Sequence, residues 1–275
     1  MGGGVTGISH AGVLEVMNEY GILQQITHVS GSSAGSMFAI LVACKVPYES
    51  IKEDSLNMDY SSLQDSSWFV FSDIYNLVKN YGWSPGDAIV KMVGDNLERY
   101  VGNRNITFGQ IKNLYNMTLI ITSTDIVSET TIYYTPDTHP DKMVADACRE
   151  SSGIPLVYSP IFKDNMCLVD GGLLTNYPIR ILYDYLPKEE VFGVALLTNG
   201  STAPVNSKIP KNIIEYLTKI IIMLHNRASN AHIEDDDWAR TIKVNSGTTQ
   251  ATDKITYDQK IELINQGIIA AKKFF

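Results

Sequence analysis

The sequence has few cysteines, an excess of negative charge and no uninterrupted apolar run long enough to span a bilayer. Its three cysteines, Cys44, Cys148 and Cys167, each lie in an apolar run, so we expect buried thiols in a reducing, cytoplasmic compartment. The formal net charge of -8 argues against a nucleic-acid partner, because such a partner requires a basic face. The apolar run that begins at Ile213 is interrupted by charges and predicts a buried or interfacial helix. Peripheral contact with a membrane through apolar side chains stays open.

Short apolar, β-branched runs alternate with helical patterns along the chain of 275 residues, which is long enough to bury a sizeable core. The predicted strands begin at Ile26, Met117, Thr131, Met166, Val191 and Thr241. The predicted helices cover residues 11–20, 34–44, 144–149, 178–186, 213–227 and 258–275. This alternation predicts an α/β protein with three layers, α/β/α, and a central, mainly parallel sheet.

The stretch from residue 55 to residue 110 breaks this alternation. It contains serines followed by a cluster of aromatic residues: Trp68, Phe69, Phe71, Tyr75, Tyr81 and Trp83. We predict a single domain over residues 1–275 with a helical, aromatic-rich insertion around residues 55–110, whose rings pack on the core. The alternative is a cap over an acyl-chain pocket or a patch that enters a lipid interface, because such rings are both apolar and polar-tipped.

The pentapeptide GSSAG, residues 31–35, is the first pattern that suggests chemistry. An apolar strand pattern enters it and an apolar helix pattern leaves it, which is the setting of a sharp turn that exposes a nucleophilic serine, here Ser33. The flanking glycines remove Cβ atoms that would collide with neighbouring backbone. The structural alternative is a turn in which Ser32 or Ser33 caps a helix.

The opening GGGVTG has two competing interpretations. Gly2, Gly4 and Gly7 fit the GxGxxG pattern of a dinucleotide site, but that pattern needs a preceding strand, and only Met1 stands there. The second interpretation is an oxyanion hole formed by the amides of Gly2, Gly3 and Gly4, ahead of a helix that adds its positive end.

The segment LVDGGLLTNYP places Asp170 at the end of a short apolar strand and before a glycine turn. Asp-Gly is common in turns, but together with Ser33 the aspartate suggests a base for a serine nucleophile. A triad in the order of the α/β-hydrolases would add a histidine after Asp170, and the candidates are His225 and His232. The residues alone therefore leave a serine-aspartate pair and a serine-aspartate-histidine triad open.

Four motif blocks in this order resemble the patatin-like phospholipases: GGGVTG, GSSAG, ACRESSGIPLVYSPI and DGGLLTNYP. The resemblance covers nearly the whole chain and implies a patatin-like fold and a lipid acyl hydrolase of phospholipase A type. It implies Ser33 as nucleophile, Asp170 as base, and the amides of Gly2, Gly3 and Gly4 as oxyanion donors, with an acyl-enzyme intermediate. It also implies a phospholipid or neutral-lipid substrate at a membrane surface. We expect no cofactor and no metal, because the sequence shows no dense carboxylate loop of the kind that binds calcium.

Two departures from the family pattern stand out. Thr6 lies where the family usually has a basic residue, which leaves phospholipid and neutral lipid open as substrates. The family also has a strand before the glycines, where this sequence shows Met1. These departures suggest a third possibility beside the pair enzyme and the triad esterase, namely an inactive relative that acts as a binding module. The intact Ser33 and Asp170 speak against it.

Overall fold

The structure is a computed structural model that describes residues 1–59, 79–197, 233–247 and 254–275, together with residues 209, 210, 213, 216, 217, 219–221, 223 and 224. In chain order, the strands are β1 (His28–Gly31), β2 (Gly82–Ser84), β3 (Thr118–Asp125), β4 (Thr130–Tyr134), β5 (Leu156–Tyr158), β6 (Ile161–Lys163), β7 (Met166–Asp170), β8 (Gly193–Leu197) and β9 (Thr241–Asn245). The helices are α1 (Ser9–Glu19), α2 (Ala34–Ala43), α3 (Tyr48–Asn57), α4 (Asp87–Val101), α5 (Phe108–Tyr115), α6 (Val144–Ser151), α7 (Gly172–Thr175), α8 (Asp235–Ala239) and α9 (Tyr257–Phe274). Short 3₁₀ turns lie at Gly4–Ile8, Leu23–Gln25, Arg180–Asp184 and Lys188–Glu190.

The strand β3 is the centre of the main sheet, and all of its residues are buried. It pairs with β1 in parallel, and with β4 and β7 in antiparallel orientation. The amide of Thr118 donates to Thr27, just before β1, and the amide of Ile126, just after β3, donates to Cys167 of β7. Alternate residues of a strand direct their backbone groups to the same edge, so β1 and β7 share one edge of β3. They run toward each other along that edge, because β1 ends beside Ile121 and β7 ends beside Ser123. The carboxyl ends of two strands distant in sequence therefore meet.

The expected α/β class is confirmed, but the prediction of a mainly parallel sheet is wrong, because the main sheet is mixed. The pairs β1–β3, β2–β5 and β8–β9 are parallel, whereas β3–β4, β3–β7 and β6–β7 are antiparallel. The hairpin between β6 and β7 turns on Asp164 and Asn165, both with positive φ, as a two-residue turn of type I′ requires. This turn signal was missed in the sequence.

Both faces of the main sheet are covered. Leu119 and Ile121 of β3 belong to a large apolar cluster formed with the helices, whereas Ile120 on the other face packs with Ile179 and Leu182. The helix predicted over residues 178–186 is only the 3₁₀ turn Arg180–Asp184. All three cysteines are buried and free, as expected.

The helix α1, which follows the opening glycines, is held against α9 by close backbone contact. A Cβ atom on Gly12 would lie 1.9 Å from the carbonyl oxygen of Ile264, and one on Gly267 would lie 2.1 Å from that of Ser9. Only glycine permits this approach at the two positions. The N-terminal loop is therefore anchored by a tightly packed helix pair.

Much of the predicted aromatic insertion falls outside the described residues, including Trp68, Phe69, Phe71 and Tyr75. The single-domain organisation stays a prediction, as does the role of these rings.

The histidines proposed for a triad, His225 and His232, lie outside the described part of the chain, as does much of the helix predicted over residues 213–227. No helix in the described part of the chain is both long enough and apolar enough to cross a membrane.

Candidate active site

The turn from β1 into α2 places Ser33 in a strained backbone conformation, with φ 50° and ψ -130°. Such a conformation is rare for a residue other than glycine and is common at functional sites. The glycines on either side are sterically required. A Cβ on Gly31 would lie 2.4 Å from the carbonyl oxygen of Gly35, and a Cβ on Gly35 would lie 2.7 Å from that of Met1. The spacing of the pentapeptide thus follows from backbone crowding around the serine.

The side chains of Ser33 and Asp170 meet, although 137 positions separate them in the chain. The Ser33 hydroxyl Oγ donates to Oδ2 of Asp170 at 2.8 Å. The other carboxylate oxygen, Oδ1, accepts from the backbone amide of Gly172 at 2.7 Å, which fixes the orientation of the carboxylate. Both residues are buried. A hydroxyl that donates to an oriented carboxylate is the arrangement required of a serine nucleophile and its base.

The opening glycine loop lies against this pair. A Cβ on Gly2 would lie 2.8 Å from the Cβ of Ser33, so only glycine fits there. The amide of Gly2, however, donates to Asn176, at 3.3 Å to its carbonyl oxygen and 3.1 Å to Oδ1. The Gly2 N–H is therefore engaged within the chain in this conformation, and its role as an oxyanion donor stays a prediction.

The amides of Gly3 and Gly4 have no acceptor within the described residues, and both residues are partly exposed. Thr6 is buried and reaches back to this loop: its amide and its Oγ1 both donate to the carbonyl oxygen of Gly3, at 3.2 Å and 2.8 Å. Thr6 therefore holds the shape of the loop rather than facing outward.

Two further residues support the site and were given no role in the sequence analysis. The hydroxyl of Ser151, at the end of α6, accepts from the amide of Ser33 at 2.8 Å. Asn176 clamps Gly2 through the contacts above, and its Nδ2 also donates to the Gly2 carbonyl oxygen at 3.3 Å. Ser151 lies in the motif block ACRESSGIPLVYSPI, and Asn176 lies in DGGLLTNYP. Their place in these blocks was the signal in the sequence that could have identified them.

Histidines in the described part of the chain serve other contacts. His10 is buried, its Nε2 lies 2.9 Å from the carbonyl oxygen of Met1, and burial together with the nearby amino group lowers its pKa to about 3. His28 contacts Thr27, and His139 contacts Thr138. Within the described residues, no cluster of histidine, cysteine and acidic side chains is placed to hold a metal ion.

Comparisons with known proteins indicate the family of the chain. A family model described as patatin-like phospholipase matches residues 1–183. The uncharacterized protein YqhO of Bacillus subtilis is 30% identical over 97% of this chain and 93% of its own length. A probable lipid hydrolase, 463L of Invertebrate iridescent virus 6, is 26% identical over 68% of this chain and 63% of its own. The crystal structure of VipD from Legionella pneumophila matches 99% of this chain and 65% of its own with a TM-score of 0.67 at 19% identity.

Proposed function

Since the chain belongs to the patatin-like phospholipase family, a family of lipid hydrolases, we propose that it releases fatty acids from ester lipids through a Ser33–Asp170 dyad. The observation that carries the proposal is the hydrogen bond of 2.8 Å from Ser33 Oγ to Asp170. In the first step the Ser33 oxygen attacks the ester carbonyl carbon while Asp170 accepts its proton. The leaving alcohol takes that proton, and an acyl-enzyme remains.

An aspartate is a weak base near neutral pH, since the ordinary pKa of its carboxyl group is about 3.9. Most of the acceleration must therefore come from placement of the reacting atoms and from stabilisation of the oxyanion. The hydrogen bond that Asp170 accepts from Gly172 supports this, because it holds the carboxylate ready without rearrangement.

The proposed oxyanion donors are the amides of Gly3 and Gly4. They have no other acceptor among the described residues, and the loop that carries them touches Ser33 through Gly2. The amino end of α2, which begins directly after Ser33, adds a favourable field for negative charge. Loss of one such donor typically lowers turnover by roughly 10²-fold or more.

In the second step, water activated by Asp170 attacks the acyl carbon, and the fatty acid leaves as Ser33 Oγ regains a proton. The substrate class we propose is a lipid with ester-linked acyl chains. Thr6 is engaged with Gly3 and offers no cationic contact to a phosphate. Phospholipid and neutral lipid therefore need to be compared directly.

The test combines covalent labelling with lipid turnover. A fluorophosphonate probe should label the native chain at Ser33, and mixed vesicles of phospholipid and triacylglycerol should release fatty acid. Ser33→Ala should abolish labelling and lower release by about 10³-fold or more without changing Tm. The matched control is Ser32→Ala, since the Ser32 hydroxyl is buried and has no hydrogen-bond partner among the described residues. Equal release by native chain and Ser33→Ala, or loss of release in Ser32→Ala alone, would refute the assignment.

A further inference from the structure

The end of α6 contacts both members of the proposed dyad. The hydroxyl of Ser151 accepts from the amide of Ser33 at 2.8 Å. The carbonyl oxygen of Gly153 accepts from the amide of Asp170 at 2.9 Å. Residues 150–153, which we call the bridging turn, therefore join the backbone of the nucleophile to the backbone of its base.

The bridging turn is also bonded to the main sheet. The hydroxyl of Ser123 on β3 lies 2.9 Å from the carbonyl oxygen of Val169 and 3.4 Å from that of Glu150, so it can donate to either. The amide of Gly171 donates to the carbonyl oxygen of Ser151 at 3.1 Å. All five residues are buried. A displacement of the turn would therefore be transmitted to the end of β7.

A buried ion pair restrains the bridging turn. Nζ of Lys142 donates to Oε1 of Glu150 at 2.8 Å, and the two side chains are 14% and 5% exposed. In every other ion pair of the described residues, at least one side chain is 34% exposed or more. The second carboxylate oxygen of Glu150, Oε2, accepts no hydrogen bond within the described part of the chain. The contact with Lys142 is therefore what holds this carboxylate in place.

Lys142 lies before α6 and is anchored by other elements. Its amide donates to the carbonyl oxygen of His139 at 3.2 Å, and its carbonyl oxygen accepts from the amide of Phe108, the first residue of α5, at 3.2 Å. Its ammonium group also lies 4.5 Å from the centre of the Tyr134 ring on β4, within the range of a cation–π contact. The ion pair thus ties the bridging turn to α5 and β4.

A buried ion pair contributes little net stability, because the cost of removing two charges from water offsets much of their attraction. Its geometry is nonetheless demanding, since the ammonium group and the carboxylate must stay at hydrogen-bond distance. The placement of a nucleophile is more sensitive, because a displacement of about 1 Å can lower a rate by about 10²-fold. The position of Glu150, directly before Ser151, makes placement the larger of the two effects.

We propose that the Lys142–Glu150 ion pair is a positioning element for the reaction. It fixes the bridging turn, and through that turn it keeps Ser33 and Asp170 within hydrogen-bond reach of each other. The proposal rests on the proposed function, since it concerns the same dyad. Lys142 and Glu150 act through the bridging turn and are positioning residues, not catalytic ones.

Two substitutions separate the reach of the side chain from its charge. Glu150→Asp keeps the charge but is one methylene shorter, so the ion pair survives only if the bridging turn moves toward Lys142. Glu150→Gln keeps the length and can still accept from the ammonium group, but it carries no charge. The contacts of Arg149 with the carbonyl oxygens of Pro85 and Ser159 are unchanged in both variants, so both chains should fold.

We expect Glu150→Asp to lower kcat for fatty-acid release by roughly tenfold or more, with KM within about twofold of the native value. Fluorophosphonate labelling should slow in parallel with kcat, and hydrogen exchange at the amides of Ser33 and Asp170 should become about tenfold faster or more. Glu150→Gln should stay within about threefold of the native chain in each measurement. The matched control is Glu15→Asp, which shortens the Lys52–Glu15 pair between α3 and α1 in the same way and should leave kcat within about twofold.

An equal or larger loss of kcat in Glu150→Gln would overturn the proposal, because charge rather than reach would then matter. Unchanged kcat and unchanged exchange in Glu150→Asp would overturn it as well, since the bridging turn would not depend on the pair. If the native chain neither labels nor releases fatty acid, the proposed function fails, but the exchange comparison still tests the pair because it requires no activity. Equal exchange in the two Glu150 variants would then overturn the proposal, and faster exchange in Glu150→Asp alone would support it.

Discussion

The two sides of the loop formed by residues 1–4 are organised in opposite ways. On the dyad side, polar groups find partners within the chain: Ser33 Oγ on Asp170, the Ser33 amide on Ser151, and the Gly2 amide on Asn176. On the other side, an apolar cleft runs between residues 26–30 and residues 190–194. The amides of His28, Ser30 and Val194 at its edges have no backbone acceptor among the described residues. The dyad is thus preorganised by hydrogen bonds within its own chain, whereas the cleft is lined mainly by apolar side chains. Substitutions at the dyad should lower activity more than stability, whereas substitutions at the cleft should lower stability more than activity.

Among the substitutions that test this contrast, Asp170→Asn should have the largest effect on activity. The amide has almost the shape of the carboxylate and can still accept from Gly172, but it cannot take the Ser33 proton. We expect fatty-acid release to fall by about 10³-fold or more. Tm should change little, which circular dichroism during heating would measure. Activity within tenfold of the native value would exclude Asp170 as the base.

The same assay separates a dyad from a triad. His225→Ala and His232→Ala should each retain release within about twofold, because the proposed mechanism uses no histidine. Loss of release in one of them, with Tm unchanged, would favour the triad esterase instead.

A smaller effect on activity is expected from Ser151→Ala. The substitution leaves the buried amide of Ser33 without its acceptor, at a residue whose backbone is already strained. An unsatisfied buried donor costs about 1–3 kcal/mol, so we expect the nucleophile to shift and kcat to fall by roughly 10- to 100-fold. Because Ser151 would be a positioning residue, KM should be nearly unchanged while fluorophosphonate labelling slows in parallel with kcat. A change in KM alone would contradict this role, and Ser32→Ala again serves as the control.

Local patterns in the sequence were sufficient to predict the two strands that carry the site. The strands predicted from Ile26 and Met166 are observed as β1 and β7. β7 ends at Asp170, and β1 ends at Gly31, two residues before Ser33. Their meeting could not be predicted from pattern alone. It depends on both strands sharing one edge of β3, and the direction of β7 depends on the Asp164–Asn165 hairpin turn. The engagement of Gly2 by Asn176 is likewise a tertiary contact, across 174 positions, that no local pattern encodes.

The smallest effect on activity and the clearest effect on stability are expected from substitution of His10, which lines the cleft. Burial is the main cause that lowers its pKa from 6.5 to about 3, with the nearby positive amino group second. Protonation therefore favours the unfolded chain, and the stabilisation present above pH 6.5 is lost progressively as pH falls toward 3.

Between pH 7 and pH 5 the loss due to His10 should be about 2 kcal/mol. His10→Gln can still donate to the carbonyl oxygen of Met1 but does not titrate, so its free energy of unfolding should fall less over this interval. Urea unfolding of both chains at the two pH values measures the difference. Equal pH dependence would show that His10 is not desolvated, and that the wall between the cleft and the opening loop is more open to water than its burial indicates.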